Sequence, residues 1–158
     1  MNLILWRHAE AEDISPDVSN WREADIQRAL TARGHKQAKA SADWLRRHAP
    51  ADIRVLSSPA VCAKETAKAL RVELELDSAL TPDADVSQVL AALGWPYGRD
   101  VIAVGHQPWL GRLASLLLAG SELSWSVKKS GIWWLTSRER EGGMGLVLRA
   151  VINPEQLL

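Results

Sequence analysis

Two apolar stretches of the chain each end in a histidine. Leu3 to Trp6 leads directly into Arg7 and His8, and Val101 to Gly105 leads into His106. Continuous apolar runs of this length are typical of strands buried on both faces of a sheet. For the first stretch alone, a strand that ends in an ordinary solvated turn fits the pattern equally well. Ligand crevices in open α/β sheets lie beyond the carboxyl ends of the strands, so two such strands predict histidines that meet at that edge.

The rest of the pattern alternates between helix and strand periodicities, and it ends in two strands. Helices are predicted around Trp21 to Ile26, from Thr31 to Pro50, from Pro59 to near Arg71, from Val86 to Gly94, and from Pro108 to Gly120. Further strands are predicted over Ile53 to Ser57, over Val72 to Leu76 near a sheet edge, and over Ile132 to Ser137 and Gly145 to Ile152 as an antiparallel hairpin. Ser58 is the expected cap of the third helix, with Pro59 at its first position. This order predicts a three-layer α/β/α sandwich with a mostly parallel central sheet and an antiparallel C-terminal hairpin, in a single domain over residues 1–158.

Composition and charge narrow the classes of partner. The 158 residues are 47% hydrophobic and 24% charged, which is ordinary for a globular domain. The 19 basic and 19 acidic residues cancel, so a nucleic-acid partner bound through a broad basic face is not expected. The apolar run near the N-terminus is too short for a signal peptide or a membrane span, so no membrane association is expected. The single cysteine, Cys62, excludes a disulfide framework and a multi-cysteine metal site, and it suits a reducing cytoplasm.

The residues at the two strand ends suit phosphoryl transfer. A neutral histidine with one ring nitrogen held by a backbone carbonyl presents the other nitrogen as a nucleophile. Arg7, beside His8, supplies planar donors that match phosphate oxygens. His106 could donate to a phosphate oxygen from a neighbouring strand, and helix N-termini after Ser58 and His106 would add backbone amide donors. Phosphoryl transfer needs little beyond such positioning and charge stabilisation.

These residues resemble the motifs of the histidine phosphatase superfamily, which has the phosphoglycerate mutase-like fold. The Arg-His-Gly motif of that family is matched by Arg7-His8-Ala9, its second histidine by Gly105-His106, and its Ser-Ser-Pro stretch by Ser57-Ser58-Pro59. The short length and three further segments resemble the SixA-type phosphohistidine phosphatases in particular. These segments are Arg28 to Gly34, Gly105-His106-Gln107-Pro108 and Lys128-Lys129-Ser130-Gly131. The similarity extends over nearly the whole chain.

The resemblance implies a covalent phosphohistidine intermediate that forms without a metal or another cofactor. His8 would be the nucleophile, and His106 would be the second histidine that stabilises the transferring group. Arg7 and Arg28 would be phosphate ligands. The substrate of SixA-type enzymes is phosphohistidine on a histidine phosphotransfer domain of a signalling relay. Its imidazole leaving group does not need the carboxylic acid that superfamily members acting on phosphate monoesters use.

The chain departs from the family pattern at two positions. The family places an arginine, as a further phosphate ligand, four residues after the second serine, where this chain has Cys62. Loss of one charge-assisted contact to phosphate costs about 1.5–3 kcal/mol, so a reduced rate is expected. Lys64 lies about 200° farther round the helix and cannot simply replace the arginine. Ala9 in place of glycine is a milder change.

Two other functions remain open at this point. The substrate could be a small phosphate monoester, with a carboxylic acid from one of the loops as the proton donor. The acidic candidates are Asp83, Asp85, Glu10 and Glu12, although a solvated loop carboxylate is the more ordinary interpretation of each. Alternatively, the chain could bind phosphate or a phosphoprotein without catalysis, if the missing arginine has made the site inactive.

Two other kinds of site are weaker hypotheses. Ser58 and Cys62 are further site candidates, and a helix N-terminus would lower the thiol pKa of Cys62 if that thiol were the nucleophile. A metal site is the least favoured alternative, because no established ligand spacing matches the residues that would form it. These residues are His8, Glu10, Glu12 and His106.

Overall fold

Strands and helices alternate through most of the chain in the computed structural model, which describes all 158 residues. The six strands are β1 (Asn2–Arg7), β2 (Arg54–Ser57), β3 (Glu75–Leu76), β4 (Val101–Gly105), β5 (Ile132–Arg140) and β6 (Gly143–Ile152). The five α-helices are α1 (Trp21–Ile26), α2 (Ala32–His48), α3 (Val61–Lys68), α4 (Val86–Leu93) and α5 (Trp109–Ala119), with short 3₁₀ helices at Ser78–Leu80 and Pro154–Gln156. None of the helices combines the length and apolar character needed to cross a lipid bilayer.

The sheet is parallel over four strands and antiparallel at its C-terminal side. Its order is β3-β2-β4-β1-β5-β6, so that β1 and β4 lie at its centre. β2 pairs in parallel with β3 and β4, and β1 pairs in parallel with β4. β5 runs antiparallel to both β1 and β6. The predicted mostly parallel sheet with a closing antiparallel hairpin is confirmed.

Alternate residues of β1 point to opposite faces of the sheet and belong to two separate cores. Leu3 and Leu5 pack on one face with buried apolar side chains of α4 and α5. Ile4 and Trp6 pack on the other face with side chains of α2 and α3. All four are fully buried, which explains why the strand is a continuous apolar run in the sequence. Because helices cover both faces, the fold is the predicted three-layer α/β/α sandwich.

The third helix begins later than the sequence pattern indicates. Ser58 does not cap it and Pro59 does not occupy its first position, because α3 begins at Val61 with Ala60 as the N-cap residue. Ser58 Oγ instead accepts a hydrogen bond from the backbone N–H of Ala60 at 3.2 Å, in the turn that precedes the helix. Three residues, 58–60, therefore separate the end of β2 from the start of α3.

Other element ends differ from the prediction by a few residues. α3 ends at Lys68 rather than near Arg71, whose φ of 56° is left-handed and cannot continue a helix. The third strand is limited to Glu75–Leu76, although it is the edge strand that was expected. The hairpin strands extend farther toward their turn than predicted. β5 ends at Arg140 rather than Ser137, and β6 begins at Gly143 rather than Gly145, because the ladder of hydrogen bonds continues over exposed residues.

Gly105 ends β4 at a point where the ring of Trp109 packs against the backbone. A Cβ atom at this position would lie 2.0 Å from Cζ2 of the fully buried Trp109. We expect Gly105→Ala to displace the indole and to lower the free energy of unfolding by about 1–3 kcal/mol, the usual cost of overpacking. Denaturation in urea measures this change.

Gly145→Ala is the matched control, because its Cβ would come closest to the flexible side chain of Arg140, at 3.1 Å, and would meet the Arg138 carbonyl oxygen at an ordinary contact distance of 3.5 Å. The free energy of unfolding should stay close to that of the parent protein. Equal stability of Gly105→Ala and the parent would contradict the close packing of Trp109 on β4.

Candidate active site

The two predicted histidines lie at the carboxyl ends of adjacent parallel strands. β1 and β4 pair in a register that sets Arg7 opposite Gly105, and the backbone N–H of His8 donates to the Gly105 carbonyl at 3.0 Å. This pairing brings the ring centroids of His8 and His106 to 5.2 Å, with the ring planes tilted by 55°. Both side chains are almost completely buried. The residues that follow the two apolar runs therefore meet at one edge of the sheet.

A backbone carbonyl fixes the orientation of His8. Its Nδ1 lies 2.7 Å from the carbonyl oxygen of Ala9, which can only accept a hydrogen bond, so Nδ1 carries the proton in the neutral ring. Nε2 then keeps a free lone pair. The adjoining backbone is tied to α3, because the N–H of Ala9 donates to Thr66 Oγ1 at 2.9 Å. This is the orientation that a nucleophilic histidine requires.

Ser58 holds the second histidine in place. Its Oγ lies 2.8 Å from Nε2 of His106, and both side chains are buried. Ser58 is thus brought into the site as a neighbour of the imidazole, and not through a helix N-terminus as the sequence pattern suggested. Nothing in the sequence spacing shows this contact, because the two residues are 48 positions apart.

Both imidazoles are neutral at physiological pH. Burial is the largest cause that lowers the pKa of His8 to about 4. Three neighbouring positive charges lower it further, those of Arg7, Arg28 and Lys129. The pKa of His106 is lowered to about 3, first by burial and then by His8 and the two arginines. A neutral imidazole keeps the lone pair that attack on phosphorus needs.

Arg7 lies beside His8 with unused hydrogen-bond donors. Its Nη1 donates to the carbonyl oxygen of Val127 at 2.8 Å, whereas its buried Nε has no hydrogen-bond partner. Burial, followed by the charge of Arg28, lowers the pKa of Arg7. A buried N–H without a partner is rare, and an anion such as phosphate would satisfy it.

An ion pair with Asp25 holds Arg28 near Arg7 and the two histidines. Its Nε and Nη2 lie 3.0 and 2.9 Å from Oδ1 of Asp25, and its Nη1 donates to the Glu12 carbonyl at 3.4 Å. The charge of Arg28 acts on both histidines, but it is shared with this carboxylate. Sequence reasoning missed Asp25, although its position three residues before Arg28 is a spacing at which charged side chains meet.

Cys62 stands within the group of histidines. Its Sγ and one nitrogen each of His8 and His106 lie within 4.8 Å of one another. The side chain is 1% exposed, and burial raises the pKa of the thiol to about 11. The expectation that a helix N-terminus lowers this pKa is wrong, because desolvation outweighs that effect. Neither Glu10 nor Glu12 belongs to the group, so the four-residue metal site considered from the sequence is not formed.

Three of the four carboxylates considered as proton donors make contacts elsewhere, and the fourth, Glu12, is exposed. Asp83 is 65% exposed and pairs at the surface with Arg22 at 3.3 Å. Asp85 caps α4 with its side chain. Glu10 Oε2 accepts a hydrogen bond from the hydroxyl of Thr31 at 2.8 Å. None of these three carboxylates contacts the buried histidines.

A basic cleft opens beside Arg7. It has a volume of about 310 Å³, and its lining includes Arg7, Arg33, Lys128 and Lys129. Lys128 pairs with Glu155 at 3.0 Å, while the exposed side chains of Arg33 and Lys129 form no ion pair. A local concentration of positive charge on a chain with no net charge indicates an anionic ligand.

Comparisons with known proteins agree with this geometry. Residues 3–85, just over half of the chain, match the family model of the histidine phosphatase superfamily (branch 1). The phosphohistidine phosphatase SixA homolog of Haemophilus influenzae is 30% identical in an alignment of 133 positions, which covers 74% of this chain and 77% of that protein. The structure of the protein histidine phosphatase SixA complexed with tungstate matches with a TM-score of 0.78 and 27% identity, over 100% of both chains. A structure from Agrobacterium tumefaciens described as a SixA phosphohistidine phosphatase has the same fold, with a TM-score of 0.74 and 23% identity over 97% of each chain.

The buried histidines should make the fold sensitive to acid. In the unfolded chain, His8 and His106 return to the ordinary histidine pKa of about 6.5, above their folded values of about 4 and about 3. Below pH 6.5 the unfolded chain therefore binds more protons than the folded protein, and the free energy of unfolding falls as the pH falls. Each histidine contributes at most about 1.4 kcal/mol per pH unit in this range. Urea denaturation at several pH values measures the slope.

His106→Gln removes one of the two buried histidines that cause this pH dependence, and it should reduce the slope by about half. His35→Gln, at an exposed histidine of α2, is the matched control and should keep the slope of the parent. A slope in His106→Gln equal to that of the parent would contradict the burial of this ring.

Proposed function

The chain belongs to the histidine phosphatase superfamily, within its SixA branch, and we propose that it hydrolyses protein phosphohistidine. In this proposal the phosphoryl group passes through a covalent intermediate on His8. Arg7 and His106 stabilise the transferring group, and Arg28 contributes its charge from the edge of the site. The observation that carries the proposal is the 5.2 Å approach of two neutral imidazoles, one of which has its Nδ1 held by a carbonyl.

In the first step, Nε2 of His8 attacks the phosphorus of the substrate phosphohistidine. The bond between phosphorus and the substrate ring nitrogen breaks, and its electron pair remains on that nitrogen. A substrate ring that carries a proton on its other nitrogen leaves as neutral imidazole, so no acid has to protonate it. His8 becomes a phosphorylated imidazolium. Its positive charge strengthens the hydrogen bond from Nδ1 to the Ala9 carbonyl.

In the second step, water attacks the phosphorus of this intermediate. The bond from phosphorus to Nε2 breaks, and His8 leaves as neutral imidazole with its Nδ1 proton retained. The water oxygen becomes the fourth oxygen of inorganic phosphate, and the surplus proton passes to solvent. In both steps, Arg7 and the N–H of His106 donate to the non-bridging oxygens, where negative charge is concentrated.

Two features favour phosphohistidine over a phosphate monoester. An alkoxide leaving group needs a proton donor, but Asp83, Asp85 and Glu10 have other partners, and Glu12 is exposed. The cleft beside Arg7 also carries the exposed charges of Arg33 and Lys129, which suit an acidic protein surface around the phosphorylated residue.

The physiological substrate that we propose is a histidine phosphotransfer domain of a signalling relay. The resemblance to SixA-type enzymes implies this substrate, and relatives named as a phosphohistidine phosphatase SixA homolog and as the protein histidine phosphatase SixA support it. One of them is complexed with tungstate, a tetrahedral oxyanion with the shape of phosphate. The cluster of Arg7 and the two histidines suits an anion of the same shape.

Cys62 is the reason to propose a reduced rate. It occupies the position at which the family has an arginine, and its buried thiol is neutral at physiological pH. The thiol therefore offers phosphate no positive charge and only a weak hydrogen-bond donor. We place it beside the reacting groups without a part in the chemistry.

The covalent intermediate should be trapped with a small phosphoramidate. After incubation and a quench in base, the protein should carry one phosphoryl group that is stable in alkali and lost in acid, as expected for phosphohistidine. His8→Ala should carry none, because the attacking nitrogen is missing. Mass spectrometry of the intact, base-quenched protein measures the label.

His35→Ala, at an exposed histidine, is the matched control and should be labelled like the parent. If neither turnover nor label appears while inorganic phosphate still binds, the chain is a phosphate-binding protein without catalysis. That result would rule out the proposed enzyme.

Cys62→Arg should accelerate the reaction. The new guanidinium adds a charge-assisted contact to phosphate worth about 1.5–3 kcal/mol, which corresponds to about a ten- to hundredfold rise in kcat/KM. Steady-state hydrolysis of a phosphoramidate measures the change. Cys62→Met, which adds volume without charge, is the control and should give no gain. A folded Cys62→Arg protein with less activity than the parent would contradict the role assigned to this position.

A further inference from the structure

The side chains of His8, Cys62 and His106 form a buried group of metal-ligating atoms at the active edge of the sheet. Their donor atoms lie within 4.8 Å of one another. His8 follows β1, Cys62 belongs to α3, and His106 follows β4. We propose that this group binds one Zn²⁺ ion and that the bound ion inhibits the enzyme. The site depends on Cys62, so a chain with the family's arginine at this position could not form it.

The spacing of the donors is close to that of a zinc site. Zn²⁺ binds imidazole nitrogen at about 2.0 Å and thiolate sulfur at about 2.3 Å, so ligands in a tetrahedron lie roughly 3.3–3.7 Å apart. No pair of donors here is more than 4.8 Å apart. Closing the site therefore takes movements of about 1 Å, which rotation of the side chains supplies.

The hydrogen bonding of His8 is that of a metal-bound histidine. A ligating ring usually donates its second N–H to a backbone carbonyl or a carboxylate, which aims its other nitrogen at the ion. Nδ1 of His8 makes such a bond to the Ala9 carbonyl at 2.7 Å, and Nε2 has no hydrogen-bond partner.

The kinds of donor atom select the ion. One sulfur and two imidazole nitrogens suit Zn²⁺, whereas Mg²⁺ and Ca²⁺ prefer oxygen, and no carboxylate belongs to the group. When the ion binds, the S–H bond of Cys62 breaks, its proton passes to solvent, and a zinc–sulfur bond forms. Three protein ligands leave a fourth position open for water or an anion.

The arginines of the site oppose the binding of a cation. Arg7 and Arg28 both interact electrostatically with Cys62, and the zinc–thiolate pair keeps one positive charge that they repel. The affinity should therefore be lower than that of a closed structural zinc site. An anion in the fourth position would reduce this repulsion.

Zinc and the substrate compete for the same atom. A lone pair on Nε2 of His8 that is shared with Zn²⁺ cannot attack phosphorus. The inhibition therefore rests on the proposed nucleophilic role of His8, whereas the metal site itself does not.

Cobalt is the probe that reports the thiolate ligand directly. The full chain, freed of metals with a chelator, is titrated with Co²⁺ while its absorption spectrum is recorded. We expect one Co²⁺ per chain, a thiolate-to-cobalt charge-transfer band in the near ultraviolet and strong visible bands of four-coordinate cobalt, all removed by equimolar Zn²⁺. The charge-transfer band should be lost in Cys62→Ser and also in His106→Gln, which serves if the first variant does not fold. His35→Ala, which removes an exposed histidine beside Glu65, should keep the band.

The outcomes separate the metal site from the proposed function. A parent protein without the band, a band that persists in either folded ligand variant, or a band lost in His35→Ala would overturn the site. Hydrolysis of a phosphoramidate should stop with one equivalent of Zn²⁺ and recover with a chelator. An unchanged rate in protein that holds the ion would overturn the inhibition. A cobalt band in protein without phosphatase activity would refute the proposed function and leave the metal site standing.

Discussion

The parallel pairing of β1 with β4 is the constraint on which the candidate site depends. Its register sets Arg7 opposite Gly105, and the bond from the His8 N–H to the Gly105 carbonyl continues the ladder past the end of β1. Both strands are buried on both faces, so a slip of one residue would exchange the side chains of the two cores. The packing of the helices therefore fixes the position of the two imidazoles, although no helix carries either of them.

The burial that stabilises these strands also decides which side chain can act as a nucleophile. Removal of water favours the neutral form of every ionisable group, so it lowers the pKa values of His8 and His106 and raises that of Cys62. A neutral imidazole is the reactive form of histidine, whereas a neutral thiol is the unreactive form of cysteine. One environment thus favours His8 over Cys62 as the attacking group. A cation that displaced the thiol proton would convert the sulfur into a thiolate ligand and would bind the lone pairs of the imidazoles at the same time.

The fold and the pairing of the histidines could be predicted from the sequence because both follow from local patterns. Continuous apolar runs mark the strands, and the polar residues after them mark the edge where a ligand crevice lies. The start of α3 could not be predicted in this way, because the hydroxyl of Ser58 that was expected to cap the helix contacts His106 instead. The predicted direction of the Cys62 pKa shift was wrong for a related reason, because the sequence shows that a helix starts nearby but does not show how deeply the thiol is buried. The three-residue spacing of Asp25 and Arg28 can be seen in the sequence, but only the fold shows that their ion pair lies beside the site.

The position of phosphorus on the trapped enzyme tests the central claim most directly, because the Ala9 carbonyl leaves only one nitrogen of His8 free. Phosphorus–nitrogen correlated NMR of the base-quenched protein, labelled in its histidine rings, distinguishes the two ring isomers and the histidines that carry them. The account predicts a phosphorus bonded to Nε2 of His8. Phosphorus on Nδ1 of that ring, or on any other histidine, would contradict it.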